Sequence, residues 1–145
     1  MIRLLYIIAL CFCFPFTATV GAATPVEDRL LGAWVIDVEA TENYLRANKI
    51  LPDAAVDRMH PLLAEMRLVY DLTGVQKMGK DGVSEGRTEI QILMRSEKKT
   101  VFTSTDTTGE KVTTTITWDD GAFWQETTVF PGYRERFIRA IATNK

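Results

Sequence analysis

Residues 111–129 read Lys111-Val-Thr-Thr-Thr-Ile-Thr-Trp-Asp-Asp120-Gly-Ala-Phe-Trp-Gln-Glu-Thr-Thr-Val129. Two runs of β-branched and aromatic residues flank a single Asp120-Gly121 step. Asp-Gly supplies the two positive-φ positions that a two-residue hairpin loop requires. The loop then sets the register: Asp119 faces Ala122, Trp118 faces Phe123, Ile116 faces Gln125 and Thr114 faces Thr127. Side chains alternate between the two faces of a strand. One face therefore carries Val112, Thr114, Ile116, Trp118, Phe123, Gln125, Thr127 and Val129, and hydrophobicity makes it the inner one. The opposite face carries Thr113, Thr115, Thr117, Trp124, Glu126 and Thr128. An inner face with two threonines and a glutamine points to an interior that is wet or ligand-filled, because an unpaired polar group in a dry core costs a few kcal/mol. A position near a barrel mouth accounts for them as well.

The same two-residue period extends through the rest of the C-terminal half. Strands are expected at 67–73, 75–78, 88–95, 100–106, 111–118, 122–130 and 133–142. Turn signals separate most of them: Asp81-Gly82, Ser96-Glu97-Lys98, Thr108-Gly109, Asp120-Gly121 and Pro131-Gly132. One further strand, 31–38, comes earlier, with Trp34, Ile36 and Val38 on one face. Between it and Arg67 the β-branched density falls. Thr41 is a candidate cap for a short helix carrying Tyr44, Leu45 and Asn48. Pro52 or Asp53 opens a second helix, which His60-Pro61 should interrupt, with Leu62, Leu63 and Met66 continuing its apolar stripe. The expected fold is mainly β: an antiparallel meander of about eight strands closing into a barrel, with a helix-turn-helix between strands one and two. The charged, glycine-containing stretch 76–87 is expected as a solvated hairpin tip at one rim.

The N-terminus has a different character. One charge at Arg3, an apolar run from Leu4 to Phe16 and the small residues Thr17 to Ala23 form the layout of a secretory signal peptide. The run is shorter than the roughly 20 apolar residues of a spanning helix. We therefore expect residues 1–23 to be a cleaved signal and 24–145 to be one barrel domain, periplasmic or secreted, of about 120 residues. Both cysteines, Cys11 and Cys13, fall inside the signal. Neither follows a small residue, so a lipid anchor is not expected, and the remaining chain has no thiol for a disulfide or a metal. The whole chain carries 17 basic and 19 acidic residues. Losing Arg3 and no acidic residue takes the net charge from −2 to −3. Without a basic cluster, nucleic acid and anionic membrane surfaces are not expected partners.

Gly32-Ala33-Trp34 at the head of the first strand is similar to the G-x-W motif of the lipocalins and fatty-acid-binding proteins. The helical pair after that strand resembles the portal lid of the intracellular fatty-acid-binding proteins, and Glu42-Asn43-Tyr44-Leu45 resembles their wording there. The last strand holds Arg134, Arg136 and Arg139; in lipocalins a last-strand arginine packs over the G-x-W tryptophan. The resemblance implies a calycin-type barrel with an internal ligand cavity. Two departures stand out: about eight strands is fewer than in a fatty-acid-binding protein, and Arg136 is followed two residues on by Ile138, so the Arg-x-Tyr pair that holds a fatty-acid carboxylate is missing.

Catalytic signatures are absent. His60 is the single histidine and precedes a proline, a surface or capping position, which excludes multi-histidine metal sites and leaves little for a Ser-His-Asp arrangement. There is no Gly-rich phosphate loop, no G-x-S-x-G and no H-E-x-x-H. Asp37, Glu39 and Glu42 cluster after the first strand, with Asp37 expected in solvent, and Asp119-Asp120 suits turn chemistry. On the last strand, Tyr133, Glu135, Phe137 and Ile141 share a face with Arg139, which should turn inward while Arg136 turns out. Arg139 then needs Glu135, a stack on Trp34 or an anionic ligand group. Trp34 itself suits a plug at the closed barrel end. The reading reached is a non-enzymatic binding protein without cofactor or metal. It holds a small, mainly apolar molecule against Trp118, Phe123, Gln125, Thr127, Thr114 and Arg139, gated by the helices from Thr41 to Met66. The alternative is an interaction module with a filled core and outward Trp124 and Phe130 as contacts for an unknown protein partner of the envelope or secreted milieu.

Overall fold

The structure, a computed structural model, describes residues 29–79 and 81–141. Residues 1–23, expected as a signal peptide, and Ala142 at the end of the last expected strand lie outside them. Among the described residues no helix is long and apolar enough to cross a membrane.

Eight antiparallel strands form a closed barrel in simple chain order: β1 (Gly32–Ile36), β2 (Arg67–Tyr70), β3 (Gly74–Met78), β4 (Ser84–Arg95), β5 (Lys99–Thr105), β6 (Lys111–Asp119), β7 (Ala122–Thr127) and β8 (Arg134–Arg139). Closure comes from β8 pairing with β1, with Trp34 opposite Arg139 and Ile36 opposite Phe137. The β6–β7 hairpin has the register that its Asp-Gly loop dictates, from Asp119 opposite Ala122 to Thr114 opposite Thr127. Asp120 and Gly121 both take positive φ, 40° and 81°, which is the reason a glycine stands at the second position.

The helices α1 (Val38–Ala47) and α2 (Asp53–Glu65) follow β1 and precede β2. Their details correct the expected caps. Asp37, one residue beyond β1, caps α1 by accepting from the Ala40 amide at 3.2 Å. Thr41 is a fully buried residue inside the helix, and its Oγ1 accepts from the Arg136 amide. An aspartate at the strand end intercepts the helix start before Thr41 can serve. Asp37 is also not in solvent: it pairs with Arg136 at 2.7 Å. Likewise α2 runs unbroken through Pro61. Proline removes a single helical hydrogen bond, here to the Asp57 carbonyl, and the burial of Val56 and Leu63 on either side holds the helix together. Leu62, expected in the apolar stripe, is 66% exposed.

Strand ends also differ. β3 runs to Met78 and β4 begins at Ser84, so strand extends well into the 76–87 stretch expected as a hairpin tip. β7 stops at Thr127, before the expected Phe130. Val129, expected on the inner face, lies in the following turn and is exposed.

The core is asymmetric along the barrel axis. One end is filled by Leu30, Trp34, Phe123 and Phe137, all essentially inaccessible, with Ile90, Phe102, Ile116 and Tyr70 above them. Phe123 is the hub: its ring lies 4.7 Å from Trp34, 5.4 Å from Trp118 and 5.2 Å from Phe137, and contacts Tyr70 edge-on. The other end is covered by the helices, with Leu63 reaching the core and Met59 packed against it.

Candidate functional site

Below the helices the barrel is not filled. A cavity of about 390 Å³ is bounded by Leu51, Met59, Gln125, Thr127, Phe130, Tyr133 and Glu135. Leu51 and Met59 come from the helical insert, Gln125 and Thr127 from β7, and Tyr133 and Glu135 from the approach to β8 and its first residues. Gln125 and Thr127 also border a smaller void of about 220 Å³, with Tyr70, Phe102, Val112 and Thr114 among its walls. A few hundred Å³ with mostly apolar walls and a few convergent polar groups is the usual make-up of a small-molecule site.

Two side-chain hydrogen bonds involve the polar residues that line the larger cavity. Tyr70 Oη donates to Gln125 Oε1 at 3.2 Å. Tyr133 Oη donates to Glu135 Oε1 at 2.9 Å. Burial raises the Glu135 carboxyl above its ordinary value, against the opposing effects of the Tyr133 hydrogen bond and the Lys77 charge. Burial first, and then the nearby Glu135 charge, raise both tyrosine hydroxyls, so both stay protonated and act as donors. No fully buried side-chain nitrogen or oxygen among the described residues lacks a hydrogen-bond partner. The polar groups on the inner face are thus satisfied, or open to the cavity.

The expected lining residues are divided between the two ends. Gln125 and Thr127 border the mouth cavity. Thr114, 4% exposed, borders the smaller void beneath it. Phe123 is buried in the aromatic hub. Trp118 and Arg139 stand at the closed end, around a depression shared with Arg29, Trp34, Lys98 and Asp120. There the Arg139 guanidinium lies 4.0 Å from the centre of the Trp34 ring. Its nitrogens donate to the carbonyls of Leu31 and Arg29. Gly32 makes room for it: a Cβ at that position would meet the guanidinium at 2.9 Å, and its φ is 108°. Arg29 covers Trp118 in turn, 4.5 Å from its centroid, while donating to the carbonyls of Ser96 and Glu97. Trp118 Nε1 donates to Thr100 Oγ1, and Trp34 Nε1 to the Leu30 carbonyl. Between Glu135 and the Trp34 ring, Arg139 takes the ring.

The lid is tied to the barrel along one edge. Besides Thr41, Tyr44 Oη donates to the Gly132 carbonyl and its ring packs 5.2 Å from Trp124. Trp124 is therefore half-buried under α1 rather than free on the outer wall. Arg46 of α1 pairs with Asp57 of α2 at 2.7 Å, and His60 Nδ1 lies 2.8 Å from Glu42 Oε1.

Leu51, Met59, Tyr133 and Glu135 were not among the expected site residues. Glu135 was legible as an inward group through its shared face with Tyr133 and Phe137, but only as one of three partners open to Arg139. Phe130, expected as an outer contact, is 65% exposed yet lines the cavity, because strand alternation ends at Thr127. Among the described residues no three His, Cys, Asp or Glu side chains group as metal ligands. Compared with family models, with curated proteins and with solved structures, the chain matches none.

Proposed function

We propose that this protein is an exported, lipocalin-like carrier that holds a small, mainly apolar molecule under its helical lid. The observation that carries this reading is the cavity of about 390 Å³ between α2 and the half-filled barrel. Burial of apolar surface against Leu51, Met59 and Phe130 would drive binding, at roughly 25 cal/mol per Å². Gln125 and Thr127 would orient the guest. Lipocalin-like kinship is supported by the Gly32, Trp34 and Arg139 arrangement at the closed end, and export by the layout of residues 1–23. The rival reading, a partner-binding outer wall, is less well supported because Tyr44 covers Trp124.

A neutral, environment-sensitive dye such as N-phenyl-1-naphthylamine tests the reading. Saturable one-to-one fluorescence enhancement is expected, abolished by Thr127→Trp, which would fill the cavity, with the melting temperature kept. Absence of enhancement, or enhancement unchanged in that variant, would sink it.

A further inference from the structure

Among the described residues that line the mouth cavity there is one acid, Glu135, and no cation. Glu135 reaches into it from β8, and Tyr133 Oη supplies a single hydrogen bond to Oε1. Among the described residues no arginine, lysine or histidine lies within ion-pair distance of either carboxyl oxygen. Lys77 of β3, whose charge acts on Glu135 through space, already holds Glu85 at 2.9 Å. The other residues lining the cavity are Tyr133, Gln125, Thr127 and the apolar Leu51, Met59 and Phe130, with Tyr70 Oη bonded to Gln125. Glu135 lines the cavity, and because no fully buried side-chain nitrogen or oxygen among the described residues lacks a partner, its second oxygen is not sealed away from that space.

Such a carboxylate repels an anionic guest. It is incompletely solvated, and a donor carrying positive charge would restore what burial removes. A charge-assisted hydrogen bond in a partly desolvated site is stronger than a neutral one. The arginines that could hold a carboxylate ligand are committed elsewhere: Arg139 covers Trp34 at the far end, and Arg136 pairs with Asp37 and Asp119 on the outer wall.

We infer that the guest is an apolar molecule with a primary amine or similar cationic donor head, seated on the free oxygen of Glu135, and not a fatty acid. This inference rests on the cavity reading above and specifies its ligand class. Raising of the Glu135 carboxyl by burial fits it, since a bound ammonium would reverse that effect and binding would weaken as the acid protonates.

The test is titration of the full chain, as purified and stripped of guests, with decylamine, decanol and decanoate. Decylamine is expected to bind about tenfold or more tighter than decanol, and decanoate weakest, as one charge-assisted bond implies. Glu135→Gln should remove the amine preference, read as the ratio of decylamine to decanol affinity. Equal affinity for decanol and decylamine, tighter decanoate, or an unchanged preference in Glu135→Gln would overturn the inference and leave the cavity reading standing. Failure of all three to bind would overturn both.

Discussion

Glu135 and Arg139 share one face of β8, four residues apart, and serve opposite ends of the barrel. Glu135 opens into the mouth cavity, whereas Arg139 seals the closed end over Trp34. Four strand residues span roughly 13 Å, too far for the two to pair. The separation lets one face carry an acid at the mouth cavity and a cation in the Trp34 stack.

Glu135→Gln should stabilise the empty protein at neutral pH. The folded-state carboxyl is raised, so the folded protein holds that proton more tightly than the unfolded chain does. Stability is then favoured at low pH and declines as pH climbs from the ordinary glutamate value through the raised one. A glutamine has no proton to lose. Melting curves of the variant and the parent should diverge above that window in favour of the variant and coincide near pH 3.

Phe123→Ala should cost about 3–5 kcal/mol in chemical denaturation, the range for removing a large aromatic from a packed core. Phe123 is inaccessible and touches Trp34, Trp118, Tyr70 and Phe137. A loss under about 1 kcal/mol would contradict the hub assignment.

Arg139→Met should cost about 2 kcal/mol, the combined scale of a cation–π contact and hydrogen bonds from a charged donor, and should shift Trp34 fluorescence. Dye binding at the mouth should be unaffected. Weakened dye binding would mean the two ends are coupled.

Thr41→Val removes the acceptor for the Arg136 amide at the seam between α1 and β8. A lost buried hydrogen bond costs about 1–3 kcal/mol. Amide exchange should accelerate in α1 more than in β5 or β6.

How far the sequence could be read depended on how local each determinant was. The β6–β7 register followed from two residues, Asp120 and Gly121, and was legible to the pair. Barrel closure and the lid position followed from strand count and the helix-forming stretch after β1. The site was less legible because alternation gives a residue's face but not its height along the axis. Trp118 and Gln125 share an inner face, yet one lies against Arg29 at the closed end and the other beneath Met59 at the mouth. Contributions from outside the strands, such as Leu51, Met59 and Phe130, carry no period to read. The cap at Asp37 was hidden for another reason: one side chain both ends β1 and starts α1 while pairing with Arg136 across the barrel wall.

Native mass spectrometry of the full chain, purified without detergent from the compartment it reaches, tests the carrier account most directly. The account predicts an added mass of small-molecule size that is lost on denaturation, with a basic nitrogen in the released compound. A bare protein mass that no added apolar compound shifts would contradict it.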